Sequence, residues 1–284
     1  MEDDVASLYS GSVPALYDRY RGPVFFEPYA RAIADRVQHI AGGSVLEVAA
    51  GTGIVTRILA ELLPAEVTII ASDISQAMLD FAARQAGVDR VVWRQADALA
   101  LPFPYAAFDA VLCQFGVMFF QDKVAGYREA FRVLKPGGLF AFSVWDRIEQ
   151  NEFCSVVNES VSRLFPDDPP VLMTKTAYGY NDTRVIAEEL ATAGFGAIGI
   201  EAVERLSHAP SARDLAIGFC QGSLVVKLKL GLQRGWEKRR MPQPKHCSLA
   251  LAPGPSLEKC EPTSLAPPET AQINAAGEAT AIAV

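Results

Sequence analysis

Val45-Leu46-Glu47-Val48-Ala49-Ala50-Gly51-Thr52-Gly53 is the stretch that decides the fold. A mostly apolar run enters a turn of small residues, and Ile54, Val55, Ile58, Leu59 and Leu62 then recur at helical spacing until Pro64. That reads as strand, tight turn, helix. The turn carries no bulk, so the backbone can approach a ligand closely, and its glycines supply dihedrals that other residues resist. The first amides of the helix point at the same place.

Working outward, the pattern repeats. A second apolar run at 67–72 ends on Asp73, Ser75 is placed to cap a helix with core face Met78, Leu79 and Ala82, and Gly87 closes that helix. Short strands follow at 91–93 and 108–113. A helix over 124–134 leads into Lys135-Pro136-Gly137-Gly138, a tight turn, and a fifth strand spans 139–144. Each strand is a continuous apolar run rather than an alternating one, which predicts a parallel sheet covered by helices on both faces. Right-handed crossovers then give an α/β, Rossmann-like doubly wound sheet. Upstream, 14–40 reads as helix interrupted at Pro23, its second part starting at Pro28. Downstream, 146–181 breaks the rhythm with three prolines and reads as an insertion on the substrate side, with a helix near 151–165. Helix resumes at 183–193, a sixth strand spans 197–205, and a short helix covers 212–220.

The ligand is read from the loop chemistry. A dinucleotide fingerprint would place a third glycine where Thr56 stands. Glu47, four residues before Gly51, would repel a diphosphate but suits an ammonium or polar tail. This favours the amino-acid half of S-adenosylmethionine over a nicotinamide dinucleotide, with Glu47, Ala49, Gly51 and Gly53 forming the cradle. Asp73, 20 residues after Gly53, stands where an acidic residue accepts hydrogen bonds from ribose hydroxyls. Ile74 and Met78 can pack on the adenine face. Asp97 and the Ala98 amide can read its edge, shielded by the run 99–103. Gln114 and Phe115 close the fourth strand beneath the methionine part. Each position also has a plainer reading: an ordinary strand–helix turn, a helix cap at Asp73, core packing for Met78, a solvated loop aspartate at Asp97.

Five motifs in order carry a resemblance: V-L-E-V-A-A-G-T-G, A-S-D-I-S, Q-A-D-A-L-A-L-P-F, F-D-A-V-L-C-Q-F and R-V-L-K-P-G-G-L-F. Together they resemble the class I S-adenosylmethionine-dependent methyltransferases, nearest in flavour to the quinone-biosynthesis C-methyltransferases, over about residues 15–222. The resemblance implies S-adenosylmethionine as cofactor, bound by the residues named above. Tyr17-Asp18-Arg19-Tyr20 resembles the family helix that folds over the cofactor. The usual D-x-G-x-G here reads Ala50 before Gly51, with Glu47 as the strand carboxylate.

Composition bounds the rest. Among 284 residues, half hydrophobic, the net charge of -7 gives no electrostatic reason to seek nucleic acid or anionic membrane. The start Met-Glu-Asp-Asp lacks the positive, apolar pattern of a secretory signal, and no apolar run nears the ~20 residues that span a bilayer. Cytoplasmic residence without membrane insertion is expected. Five cysteines without C-x-x-C spacing and three histidines indicate neither disulfides nor a metal site. No histidine falls in a motif, so no catalytic residue is assigned. The expected reaction is in-line methyl transfer to a small-molecule acceptor, carbon or nitrogen being favoured. Phe25, Phe26, Phe115 and Phe119 are candidates to stabilise sulfonium charge. The alternatives are an S-adenosylmethionine-binding protein without catalysis and a nicotinamide-dependent oxidoreductase. Oligomeric state is not assigned.

From residue 224 the character changes. The last 61 residues hold seven of the 18 prolines and one of the 26 aromatics, and carry eight basic against five acidic residues; the first 223 carry 18 against 28. A methyltransferase domain over 1–223 followed by an irregular, disordered tail over 224–284 is the expected organisation. The sheet is accordingly expected to lack its last strand, with 271–284 apolar enough to substitute only weakly.

Overall fold

The computed structural model describes residues 11–164, 166, 169, 172–220 and 280–283. Five strands appear where apolar runs were read: β1 Gly43–Val48, β2 Val67–Asp73, β3 Val91–Gln95, β4 Phe108–Gln114 and β5 Leu134–Ser143. β6 is Ala197–Ile200 and β7 is Thr280–Ala283. The sheet order is β3-β2-β1-β4-β5-β7-β6, with every pairing parallel. This is the doubly wound Rossmann-like α/β sheet expected from the sequence.

The described α-helices are α1 Val13–Arg21, α2 Glu27–Ala34, α3 Ile54–Leu62, α4 Gln76–Ala82, α5 Lys123–Val133, α6 Glu152–Leu164, α7 Leu172–Lys175, α8 Thr183–Ala193 and α9 Ala212–Cys220. Their starts follow local chemistry. The Ser75 hydroxyl accepts from the Met78 amide, Asp122 from Ala125, and Asp182 from Arg184 and Val185, each filling donors a helix start leaves open. The interruption expected near Pro23 is a π-helical turn, Gly22–Phe26, joining α1 to α2.

Adjacent residues of one strand serve opposite faces. Val45 joins Ile33, Leu59, Ile69 and Leu112 beneath α2 and α3. Leu46 joins Val111, Phe140, Phe142, Tyr127 and Leu190 beneath α5 and α8. Both faces are therefore buried, which is why these strands read as unbroken apolar runs. The sheet reverses direction of growth between β1 and β4, where successive crossovers leave on opposite faces. That switch point opens a crevice at the carboxyl ends of the strands.

Three boundaries differ from expectation. β5 begins at Leu134 and takes in the Lys135–Gly138 turn, because Phe108 pairs with Leu134 before the register shifts to Ala110 with Leu139. β6 stops at Ile200 rather than 205; 201–209 carries no regular element. The end of the chain is the largest difference. Thr280–Ala283 pairs with Leu139–Phe142 of β5 on one side and Ala197–Ile200 of β6 on the other. The place beside β5, expected to lack a strand, is thus taken by four residues of the tail, running parallel to both neighbours. The Ala-Ile-Ala sequence there is compatible with a strand paired along both edges. The disorder expected over the rest of 224–284 falls on 224–279 and 284, outside the described residues.

Candidate functional site

Two cavities open at the carboxyl ends of the strands. The smaller, about 240 Å³, is lined by Tyr17, Val48, Ala49, Gly51, Asp73, Ile74, Ser75, Met78, 96–99, Gln114, Phe115, Gly116 and 119–121. The larger, about 800 Å³, is lined by Tyr29, Phe115, 144–146, Gln150, Asn151, Asn181, Thr183, Ile186 and 200–206. Nine of the eleven residues expected to bind the cofactor, namely Ala49, Gly51, Asp73, Ile74, Met78, Asp97, Ala98, Gln114 and Phe115, therefore line one cavity. Glu47 and Gly53 are not in its wall.

The β1–α3 loop is built from unusual backbone. Ala49, Gly51 and Gly53 all have positive φ, at 55°, 56° and 79°. A methyl group added at Gly51 would meet nothing within 4 Å, so that glycine faces open space. One added at Gly53 would come within 3.0 Å of the Trp93 ring and 3.1 Å of Ala82. Gly53 is therefore required for helix–strand packing, and Gly51 for the turn and for closeness to whatever occupies the cavity. The Thr52 hydroxyl is buried with no hydrogen-bond partner among the described residues.

Asp73 ties two loops together. One carboxylate oxygen accepts from the Gly51 amide at 2.8 Å, the other from the Ser75 amide at 2.8 Å. The carboxylate keeps acceptor capacity for a further donor. Burial pushes the Asp73 carboxyl above its ordinary range, while the amides of Ser75, Gly51 and Ile74 favour the charged form. Asp97 uses one oxygen to accept from the Leu99 amide at 2.9 Å, which shapes the loop on the opposite side of the pocket. Gln114 donates through Nε2 to the Phe26 carbonyl at 2.8 Å, fastening the π-helical turn over the end of β4. This gives the polar strand-end glutamine a structural task beside its position in the cavity wall.

Glu47 departs from expectation. Its side chain is 2% exposed and accepts from the Thr56 hydroxyl of α3 instead of facing the cavity. Burial pushes its carboxyl up to about 8, helped by Asp73 and opposed by the Thr56 hydrogen bond and Arg57. A carboxyl carrying a proton at neutral pH needs no counter-charge in the core.

The aromatic candidates divide. Phe115 and Phe119 line the smaller cavity, whereas Phe25 and Phe26 belong to the core beneath α1 and α2. Tyr17 of α1 lies in the wall and stacks on Phe26 at 4.9 Å, and Asp18 pairs with Arg57 of α3 at 3.0 Å. These contacts tie the start of α1 to the cavity wall and to α3. Sequence reasoning missed Trp145, which stacks on Phe115 with ring centres 3.8 Å apart. Its one signal was position, directly after the fifth apolar run. It also missed 201–206 as cavity wall, having assigned 201–205 to a strand. His39 and His208 line neither cavity. Among the described residues no cluster of ligating side chains could hold a metal, and no helix is long and apolar enough to cross a membrane.

An open parallel sheet with a glycine turn and an acidic residue closing its second strand is the architecture in which doubly wound proteins bind nucleoside ligands. Comparison with known proteins places it more narrowly. The family model described as "Methyltransferase domain" matches residues 45–138. The chain is 33% identical over 200 residues to the ubiquinone/menaquinone biosynthesis C-methyltransferase UbiE of Hahella chejuensis, covering 66% of this chain and 77% of that protein. It is 47% identical over 96 residues to the demethylmenaquinone methyltransferase of Deinococcus radiodurans, covering 33% of this chain and only 39% of that protein. The fold is shared with the [4+2]-cyclase SpnF, at TM-score 0.52 and 22% identity over 69% of this chain and 73% of that one. The chain belongs to the class I S-adenosylmethionine-dependent methyltransferases.

S-adenosylmethionine is the cofactor of that family, and the residues present fit it. Asp73 keeps acceptor capacity toward the cavity, Gly51 leaves room for close approach, and Ile74 and Met78 offer an apolar face beside Asp97.

Proposed function

We propose that the chain transfers the methyl group of S-adenosylmethionine to a small organic acceptor. The observation that carries this is the pair of adjoining cavities at the switch point of the sheet, the smaller lined by nine of the expected cofactor residues and the larger free to take a second molecule. Bound there, the cofactor supplies an already activated methyl group. The chain's part is to hold both partners and exclude water. In this reading Asp73 accepts from the ribose hydroxyls, Ile74 and Met78 flank the adenine, and Asp97 with the Ala98 amide reads its edge. Ala49, Gly51 and Gly53 shape the turn against the amino-acid tail. Glu47 acts from outside the cavity wall, holding α3 to the loop through Thr56.

The acceptor occupies the 800 Å³ space between α2 and the segment after β5. Tyr29 and Trp145 offer it flat apolar surface, while Asn151 and Asn181 spend their amide nitrogens on backbone carbonyls. The names of the relatives support a ring carbon of a quinone precursor as the site of methylation. No histidine lies in either wall among the described residues; Asp146, Glu201 and Glu204 in the larger cavity are the side chains there able to accept a proton. Cytoplasmic residence is the expected setting.

A second reading, cofactor binding with other chemistry, has one observation behind it: the same fold is seen in a protein named as a cyclase. One experiment separates the two. The full chain is incubated with methyl-deuterated S-adenosylmethionine and a reduced naphthoquinone unsubstituted at the ring carbon next to the side chain. Labelled product with matching S-adenosylhomocysteine supports transfer. Tight cofactor binding with no label in any of a panel of carbon, nitrogen and oxygen acceptors favours the second reading.

A further inference from the structure

Among the described residues, Phe115 alone lines both cavities. The backbone holds it there. Phe115 has φ +51°, a region that non-glycine residues rarely occupy. Its amide donates to the Ser143 carbonyl at 3.1 Å and the Ser143 hydroxyl at 3.2 Å. The next residue, Gly116, could not carry a side chain, since an added methyl would come within 2.6 Å of both Ala49 and Cys113. Strain fixed this firmly by its surroundings is a mark of a functional position.

The ring is fixed as well. It lies parallel to Trp145, 3° apart in plane, and Tyr29 meets both rings edge-on at 5.6 and 5.4 Å. Trp145 lines only the larger cavity. A methyl passing between partners must cross the boundary that Phe115 forms. We propose that Phe115 is a specificity-determining partition, whose ring limits the size of the group that can lie between donor and acceptor. Trp145 is its positioning residue. This rests on the reading that the smaller cavity holds S-adenosylmethionine. It adds a selectivity device: the ring leaves room for a methyl group between the two cavities and not for larger substituents.

The test uses two probes on the full chain. One is S-adenosylhomocysteine. The other is its aza-analogue, with nitrogen in place of sulfur and a benzyl group where the transferable methyl would be. Calorimetry gives the ratio of their affinities. The native chain should prefer S-adenosylhomocysteine by about tenfold or more. Phe115→Ala should shift that ratio toward the benzyl probe by about tenfold, and Phe115→Leu by less. Trp145→Ala should shift it in the same direction, and Trp145→Phe, which keeps a ring to stack on, should restore the native ratio. A general loss of packing would weaken both probes together and leave the ratio alone. If Phe115→Ala proves too unstable to titrate, Phe115→Leu carries the test. A ratio within about twofold of native in the folded Phe115 variant overturns the partition. Failure of S-adenosylhomocysteine to bind the native chain overturns the cofactor reading instead, and the partition with it.

Discussion

At the scale of single residues, Asp73 does two jobs with one carboxylate. It holds the Gly51 and Ser75 amides and offers its remaining acceptor capacity to the cavity. Replacing it with alanine is expected to weaken S-adenosylmethionine binding by about 1.5–3 kcal/mol, the range for losing a charged hydrogen-bond partner. Calorimetry on the folded variant checks this; unchanged affinity would remove Asp73 from the site. Glu47 makes a pH prediction. Its carboxyl, pushed up to about 8 by burial, binds a proton in the folded chain that the unfolded chain releases near its ordinary, lower value. Between those two values the folded state holds more protons, so Glu47's contribution makes stability fall as pH rises and level off above about 8. Glu47→Gln should remove that part of the slope, as seen in melting temperatures across pH 5 to 9. An identical slope in the variant would mean Glu47 ionises normally. That Asp73 would line the cavity was legible because a carboxylate closing an apolar strand is conspicuous; Asp97, two residues past β3, lines the same cavity. The direction of the Glu47 side chain was not, since sequence spacing does not reveal that Thr56 turns back to meet it.

At the scale of elements, the central strands were legible because both of their faces are buried and their apolar runs are nearly unbroken. Their ends were less so. Gly43 shows what fixes one of them. It has φ +91°, and an added methyl would come within 2.1 Å of the Asp109 carboxylate, which accepts from the Ser44 amide and from Lys135, both at 2.8 Å. That carboxylate clamps the entry of β1 to β4 and β5. Although burial opposes its charge, the hydrogen bonds from Lys135 and Ser44 hold its pKa below the ordinary range. Gly43→Ala should therefore cost about 2 kcal/mol through strain and displacement of the clamp. A melting temperature equal to the native chain's would contradict this. The segment after Ile200 escaped the sequence reading because Ala202 and Val203 look like strand. In the structure 201–206 is spent on the cavity wall, and a wall need not pair with a neighbouring strand.

At the scale of the whole molecule, the last strand is the feature composition could not supply. A proline-rich stretch poor in aromatics predicted an unfinished sheet, but four residues suffice to fill one slot between two strands. Among the described residues, β7 is the only sheet neighbour of β6. Removing 280–283 should therefore leave β6 without backbone partners and expose the edge of β5. Hydrogen exchange should show 280–283 protected in the full chain, and 197–200 losing protection in a chain ending at 279. Equal protection of 197–200 in both would show that β6 does not depend on the tail.

The central claim is that the cavity at the switch point binds S-adenosylmethionine through Asp73 and its neighbours. Parallel calorimetric titrations of the full chain with S-adenosylhomocysteine and with a nicotinamide dinucleotide test it most directly, repeated on Asp73→Ala. The account predicts saturable one-to-one heat with S-adenosylhomocysteine, none with the dinucleotide, and a loss of about tenfold or more in affinity for the variant. Heat with the dinucleotide alone, or an S-adenosylhomocysteine affinity that ignores Asp73, would contradict it.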